Sequence, residues 1–275
     1  MSRRRQENSM PLSLRPLSLT MTKDEATNSS RRKRSSKSEW TRARKAESGY
    51  ARQLRKIARH VGEIVGAHDP ESPGSAETIA SVLERYSSVI EGWAKATGRS
   101  MVAEVARRDK AAWEARSSEM GRLLREEIAD APTGRAMREA LDRQTALITS
   151  LPREAAQRVR DLTREGIIKG TRASEVAAEI MKTGEVTEGR ANTIARTETS
   201  RTATELTKAR AESIGSTHFI WHTAGDSDVR PSHKSLNGKT FRWDQPPECD
   251  PGHHALPGGI WNCRCWAEPV IPEGD

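Results

Sequence analysis

The sequence has few cysteines, few aromatic residues and no long apolar run. Three cysteines among 275 residues are too few for a disulfide scaffold of this size, so that class is excluded and a reducing compartment is indicated. Hydrophobic residues make up 34% of the chain, so only part of it can bury a core. No apolar run approaches the roughly 18 residues of a membrane span, and none follows the basic start at residues 1–5. The sequence therefore predicts neither a membrane protein nor a secretory signal peptide.

Basic residues are concentrated near the start of the chain. Residues 1–60 hold 17 Lys+Arg and 5 Asp+Glu, a net charge of +12, and since the whole chain carries +8, the other 215 residues carry −4. The densest basic cluster consists of Arg31, Arg32, Lys33 and Arg34. Residues 1–45 are interpreted as a disordered basic arm, either a solvated tail or a contact to nucleic acid or an acidic surface.

Residues 46–214 show apolar side chains at helical spacing and predict a helical body. Breaks are expected at 68–74 and 131–134, where Pro and Gly interrupt the pattern. Single residues predict where helices start and end. Ser75 is predicted as an N-cap and Pro152 as a helix start. Gly98 is predicted as a helix end, Gly215 as a C-terminal cap and Ile128 as the last apolar position of the third helix.

Residues 215–275 differ in composition and predict a compact module of short antiparallel strands and loops. They hold five of the seven histidines, all three cysteines and both phenylalanines. Strands are predicted at 217–222, 240–243 and 263–268, and Asn237-Gly238 is a hairpin signal. The predicted fold class is therefore α+β, with a mainly helical body followed by this C-terminal module.

Cysteine and histidine gathered in one small module suggest a zinc site. The candidate ligands are His233, Cys249, Cys263 and Cys265, with His253 or His254 as alternatives in the same loop region. Zinc ligands usually come in pairs separated by two to four residues, whereas one residue separates Cys263 from Cys265. The alternative is a set of reduced cysteines packed as small hydrophobic residues, so the sequence leaves a structural zinc open.

A catalytic interpretation is also available, because Asp226, Asp228 and His233 could form an acid/base group of a small hydrolase. Aspartates in such a turn more often bind local backbone, and the sequence holds no phosphate loop, HExxH or nucleophile elbow. The favoured interpretation is that the protein is not an enzyme.

The helix before the module is unusually rich in Thr, Ser and Arg around residues 196–201. Side chains three or four residues apart share a helix face, so Glu198 can meet Arg201. A solvated ion-pair face is one interpretation. The other is that this helix packs on the module, with Arg196 and Glu198 forming hydrogen bonds to its loops.

Five motifs follow one another along the second half of the chain. They are Ala195-Arg-Thr-Glu-Thr199, Trp221-His-Thr-Ala-Gly-Asp226, Val229-Arg-Pro-Ser-His233, Leu236-Asn-Gly-Lys239 and Pro257-Gly-Gly-Ile-Trp-Asn-Cys-Arg-Cys265. In this order they resemble the phage Mu F-like head morphogenesis family. The resemblance covers about residues 140–270. The structural motif residues that it suggests are Arg196, Glu198, Asp226, Arg230, His233, Asn237, Gly238, Asn262, Cys263 and Cys265.

The resemblance implies a non-enzymatic minor capsid protein of a tailed phage or prophage. Such a protein would associate with the portal protein and the major capsid protein and act in head morphogenesis, DNA packaging or delivery. It would lie in the virion, at the head interior or portal vertex, and in the host cytoplasm during assembly. The basic arm would then contact packaged double-stranded DNA, and no fused toxin or transferase domain is expected. A free zinc-containing nucleic-acid-binding protein is the alternative.

Two departures from the family pattern bear on the metal. Many relatives have Cys-x-x-Cys where this chain has Arg230 to His233, and a histidine shortly before Asn-Cys-Arg-Cys where this chain has Ile260 or a neighbour. A ligand from the adjacent loop could compensate. Equally, Arg230 could replace the metal by bridging loops through its guanidinium donors.

Overall fold

A computed structural model describes the backbone of residues 23–117 and 132–272, and the side chains of residues 44–115 and 132–272. The chain divides into two compact units, residues 1–37 and residues 38–275. In the first unit, residues 23–37 are the helical beginning of α1. The predicted disordered arm spans residues 1–45, so its part from Lys23 onward is helical, and residues 1–22 lie outside the description.

The described residues are mainly helical and end in short strands, which confirms the predicted α+β class. Their elements follow one another in a simple order. They are α1 (Lys23–Gly66), α2 (Ser75–Val89), α3 (Glu91–Ser117), α4 (Thr133–Lys169), α5 (Ala173–Met181), α6 (Thr183–Ser213), β1 (His218–His222), α7 (Pro231–Leu236), β2 (Thr240–Arg242), β3 (Glu248–Asp250), β4 (His253–His254) and β5 (Trp266–Pro269). No described helix is both long enough and apolar enough to cross a membrane.

The long helix α4 continues through Pro152, where the sequence predicts a new helix start. Its buried residues recur every three or four positions on both sides of the proline, as at Ile148, Leu151, Ala155 and Val159. A proline inside a helix costs about 3 kcal/mol or more because it removes one hydrogen bond and crowds the preceding turn. The uninterrupted apolar stripe, packed on α2 and α3, offsets that cost.

Two other predicted helix boundaries are wrong. Gly98 lies inside α3 rather than at a helix end, and a Cβ there would lie 2.9 Å from the Cβ of Gln144. The glycine therefore permits close approach of α3 to α4. Ser75 is the first residue of α2, while Gly74 holds the capping position with φ 79°. The continuation of α3 toward Ile128 lies outside the described residues.

Gly215 ends α6 as predicted. Its φ is 76°, and the N–H groups of Gly215 and Ser216 donate to the carbonyls of Glu212 and Ala211 at 3.1 and 2.9 Å. This is the pattern of a Schellman cap, which satisfies carbonyls that the helix end would leave unpaired. The cap turns the chain directly into β1, so α6 and the module are joined without a linker.

The C-terminal module, residues 215–275, contains a three-stranded antiparallel sheet in the order β2-β1-β5. The strand β2 returns antiparallel to β1 as predicted, but α7 lies between them, so Asn237-Gly238 joins α7 to β2 and is not a two-residue hairpin. Pro269 lies within β5 opposite Phe219, which is tolerated because β5 is an edge strand. β3 and β4 form a separate ribbon.

The second unit has two apolar clusters. One is formed by residues of α1 to α6, including Leu54, Leu83 and Ile194. The other lies in the module and includes Trp221, Trp243 and the three cysteines. It also includes residues of the helical body, residues 46–214: Trp113 from α3, and Ala211 and Ile214 at the end of α6. The module core is therefore completed by side chains of the body.

Candidate functional site

The carboxylate of Glu198 is fully buried in α6 at the centre of a polar network. It accepts hydrogen bonds from Arg143 Nε at 2.7 Å, Gln144 Nε2 at 2.8 Å and Arg201 Nη1 at 2.9 Å. Tyr50 donates in turn to Gln144 Oε1 at 2.9 Å, and burial, followed by the charge of Glu198, raises the pKa of Tyr50. A buried carboxylate is tolerated only when it is paired in this way.

The face of α6 that meets the module is polar as well. Arg201 Nη2 donates to the carbonyl of Gly259 at 2.5 Å, and Thr204 Oγ1 donates to the carbonyl of Pro257 at 2.7 Å. The N–H of Asn262 donates to Thr197 Oγ1 at 3.0 Å. The Thr and Arg content of this helix therefore provides donors and acceptors for the loop 257–262.

The predicted roles of Arg196 and Glu198 need correction, although the predicted packing of α6 on the module is found. Arg196 pairs with Glu47 of α1, with 3.3 Å between Nε and Oε1. Glu198 reaches the module only through Arg201, with which it also forms the predicted pair at i and i+3. The direct loop contacts come from Thr197, Arg201 and Thr204, because those side chains lie on the face turned toward the loop.

Other motif residues hold the module loops in place. Arg230 bridges two loops, since its Nη2 donates to the carbonyl of Trp261 at 2.8 Å and its Nη1 lies 3.5 Å from Asp250 Oδ2. The Oδ1 of Asn237 accepts from the N–H of Thr223 at 2.9 Å, and Gly238 has φ 79°. Asn262 adopts φ 60°, a conformation that Asn tolerates better than most residues.

The proposed acid/base group is not assembled. Asp226 and Asp228 both accept from Arg264 Nη2, at distances of 2.9 to 3.0 Å. Among the described residues, no hydrogen bond joins either carboxylate to His233, whose Nδ1 faces two cysteine sulfurs. The two aspartates therefore bind an arginine of the Asn-Cys-Arg-Cys segment and fix its direction.

His233, Cys263 and Cys265 come together as the sequence predicts for part of a metal site. One ligand atom from each lies within 4.8 Å of the others. In the segment before β5, Cys263 and Cys265 are both buried and Arg264 between them is partly exposed, so burial alternates from one residue to the next. The single-residue spacing of the two cysteines therefore suits a shared site, while Arg264 between them points outward to the aspartates.

Cys249 and the neighbouring histidines occupy different positions. Cys249 is buried in the module core, but its Sγ contacts the carbonyl of His253 at 3.3 Å and is not part of the group within 4.8 Å. His253 and His254 are exposed on β4. All three cysteines are free thiols.

The two adjacent thiols have opposite pKa shifts. A hydrogen bond from Cys265, aided by His233, lowers the pKa of Cys263 to about 5 despite burial. The same hydrogen bond, followed by burial, raises the pKa of Cys265. Burial raises the pKa of Cys249 as well. The contact between the two thiols therefore favours one negative charge on the pair.

The predicted DNA contact at Arg31, Arg32, Lys33 and Arg34 lies outside the described side chains. Among the described residues, sequence reasoning missed Arg143, Gln144, Asp250 and Arg264. Arg143 and Gln144 are distant in sequence from the motif that they serve. The opposite charges of Arg264 and of Asp226 and Asp228 are visible in the sequence and could have suggested an ion pair. The sequence does not show that the three side chains meet.

The comparisons with known proteins match the region that contains Glu198 and the cysteine–histidine group. Residues 157–268 match the family described as Phage Mu protein F like protein. Over these residues, the Mu F-like region, the chain is similar to that family. This region begins in the middle of α4 and ends within β5, so it takes in α6, the loops that α6 holds, and the cysteine–histidine group. The match confirms the resemblance to this family that the five motifs indicated.

Two curated proteins are similar over part of the chain. An uncharacterized protein of Haemophilus influenzae is 33% identical over 129 residues, 47% of this chain and 28% of that protein. An uncharacterized protein of Methanocaldococcus jannaschii is 35% identical over 116 residues, 42% of this chain and 17% of that protein. The chain thus spans less than a third of the length of these relatives. No solved structure matches it significantly.

Proposed function

We propose that the protein is a non-enzymatic minor head protein of a tailed phage or prophage. It associates with the portal protein and the major capsid protein and acts in head morphogenesis, DNA packaging or delivery. The Mu F-like match over residues 157–268 carries this proposal, because it covers the five motifs, including α6 and the loop 257–262 that hydrogen bonds connect.

The arrangement of the module suits a docking unit better than a catalytic one. The carboxylates that could serve as acid or base are paired with Arg264, and Glu198 is buried under three donors. Groups fixed in this way support a surface of constant shape. We therefore place the function in the shape of the module and body together.

Quantitative mass spectrometry of purified phage heads tests this proposal. Purified tails and a lysate of cells that do not express the protein are the control samples. The protein is expected in heads at a small number of copies per portal ring, and enriched over tails. A density map of the portal vertex into which α6 and the module fit would show which head protein the module contacts. Absence from purified heads, or equal abundance in heads and tails, would contradict the proposal.

The basic arm is proposed to contact packaged DNA through phosphates, without base recognition. Replacing Arg31, Arg32, Lys33 and Arg34 by Gln should weaken retention of double-stranded DNA and flatten its salt dependence by about 0.9 in the log–log slope per lost phosphate contact. A control replaces four exposed body residues of the same composition, Arg52, Lys56, Arg59 and Arg85. Equal loss in both variants would reject the arm as the specific contact.

A further inference from the structure

The group formed by His233, Cys263 and Cys265 has contacts that ordinary hydrogen bonding does not explain. His233 Nδ1 lies 3.5 Å from Cys263 Sγ and 3.4 Å from Cys265 Sγ. An imidazole nitrogen has either one proton or one lone pair, so it makes one good hydrogen bond. Two sulfurs at nearly equal distance from one nitrogen point to a shared centre between the three atoms.

These separations match the edges of a zinc tetrahedron. With zinc–sulfur bonds of about 2.3 Å and zinc–nitrogen bonds of about 2.0–2.1 Å, ligand sulfur and nitrogen atoms in a tetrahedral site lie about 3.6 Å apart. The observed 3.4 and 3.5 Å agree with that value to within about 0.2 Å. Both nitrogen–sulfur separations therefore have the length that a tetrahedral zinc ion requires.

The other nitrogen of His233 gives a second, independent indication. His233 is 2% exposed, and its Nε2 is buried with no hydrogen-bond partner among the described residues. Its nearest acidic neighbour is Asp250 Oδ1 at 3.6 Å. A histidine that binds metal through one nitrogen usually turns the N–H of the other toward a carboxylate. The orientation of Asp250 therefore suits a metal-bound imidazole.

The donor set indicates which metal fits. Two thiolates and one imidazole are soft to borderline ligands, which suit zinc and disfavour magnesium or calcium. The three residues are each at most 3% exposed and lie in the apolar core of the module. A cation there would be shielded from water on the core side, which strengthens its attraction to thiolates.

The three candidate ligands border a cleft. His233, Cys263 and Cys265 all line a cleft of about 160 Å³ together with Asp228, Arg196 and other residues of the Mu F-like region, and Cys249 is not among its lining residues. We propose that His233, Cys263 and Cys265 bind one zinc ion, whose fourth ligand is a water molecule in this cleft and not Cys249. This inference is independent of the role in phage heads.

The test uses the full chain, expressed with added zinc and analysed for metal by elemental analysis. One zinc per chain is expected in the wild type and in Cys249→Ser, which removes an equally buried thiol from the same core. Cys263→Ser and Cys265→Ser should each lower the zinc content at least tenfold. If Cys249→Ser loses as much zinc as Cys263→Ser, Cys249 is a ligand and the proposed water ligand is wrong.

A second measurement keeps the proposal testable if a cysteine variant fails to fold. Cobalt added to the metal-free wild type should give the absorption bands of a tetrahedral ion with two thiolate ligands, and zinc should displace it. Zinc should also protect two of the three thiols from alkylation, and a chelator should expose them. A metal-free wild type with native near-ultraviolet circular dichroism and no cobalt band would overturn the site.

Discussion

The helical body and the C-terminal module are stabilised by different kinds of contact. The body buries apolar stripes of long helices, in which each helix supplies a residue every three or four positions. The module has short strands, and its core consists of tryptophans, cysteines and single residues from separate loops, completed by Trp113, Ala211 and Ile214 of the body. The module therefore depends on the body, whereas the body has a core of its own.

Beside these apolar contacts, part of the boundary between the two regions is polar. Glu198, Arg201 and Thr204 connect α4, α6 and the loop 257–262 through buried hydrogen bonds. Hydrogen bonds have directional requirements that apolar contacts lack. The boundary thus fixes one relative orientation of body and module, which is the property that a docking unit needs.

Replacing Trp113 by Ala would test most strongly whether the module depends on the body. Trp113 is 1% exposed on α3 and packs in the module core, so we expect a loss of about 3–5 kcal/mol in the free energy of unfolding. Near-ultraviolet circular dichroism and urea unfolding measure it. Trp93→Ala, on the same helix but half-buried in the body, is the control and should cost less. A smaller loss for Trp113→Ala than for Trp93→Ala would contradict the dependence.

Replacing Glu198 by Ala removes the acceptor at the centre of the polar boundary. The expected loss is about 3–5 kcal/mol, because buried donors of Arg143, Gln144 and Arg201 would lack their partner. Urea unfolding followed separately in the body and the module should then show two transitions. Glu188→Ala, an exposed position on the same helix, should change stability by no more than about 0.5 kcal/mol. A single transition of unchanged midpoint would argue against the network.

Gly258→Ala would test the close approach of the loop to α6. The residue has φ 80°, and a Cβ there would lie 2.9 Å from backbone atoms of Ser200. We expect overpacking of about 1–3 kcal/mol in addition to the strain of a positive φ. Gly252→Ala is the matched control, since φ is 75° and nothing lies within 4 Å, so only the strain remains. Equal losses in thermal unfolding would show that the approach is not tight.

Thr204→Val is expected to have the smallest of these effects. It removes the donor to the buried carbonyl of Pro257 and should cost about 1–3 kcal/mol. Thr202 is equally buried, but its hydroxyl has no hydrogen-bond partner among the described residues. Thr202→Val should therefore be neutral or slightly stabilising in the same unfolding measurement. If the two variants behave alike, the hydrogen bond to the loop does not contribute to stability.

The two regions also differ in what could be predicted from the sequence. The helical class, the final Gly215 cap and the return of β2 against β1 were predictable, because apolar period and glycine position are local signals. Gly98 and Pro152 were predicted as helix boundaries, and both lie inside helices because of packing between helices. Gly98 lets α3 approach Gln144 of α4, and Pro152 lies within the apolar stripe that packs α4 on α2 and α3. A local signal therefore fails where packing between helices offsets its cost.

In the candidate site, residue types were predictable and partners were not. His233, Cys263 and Cys265 were among the candidate ligands that the sequence offered together with Cys249, and the burial of both cysteines beside the partly exposed Arg264 explains why their short spacing suffices. The partners of Arg196 and Glu198 were misassigned, because Glu47 and Arg143 come from helices that only the tertiary fold brings near. Side-chain pairing across such distances in sequence has no periodic signal.

Hydrogen exchange of the native wild-type protein tests the coupling of body and module most directly. The account predicts that the slowest amides of β1 and of α4 exchange through one opening with the same free energy, and that Glu198→Ala lowers both values and lowers the value for β1 more. If β1 in the wild type exchanged through an opening of much lower free energy than α4, body and module would be independent and the coupling would be wrong.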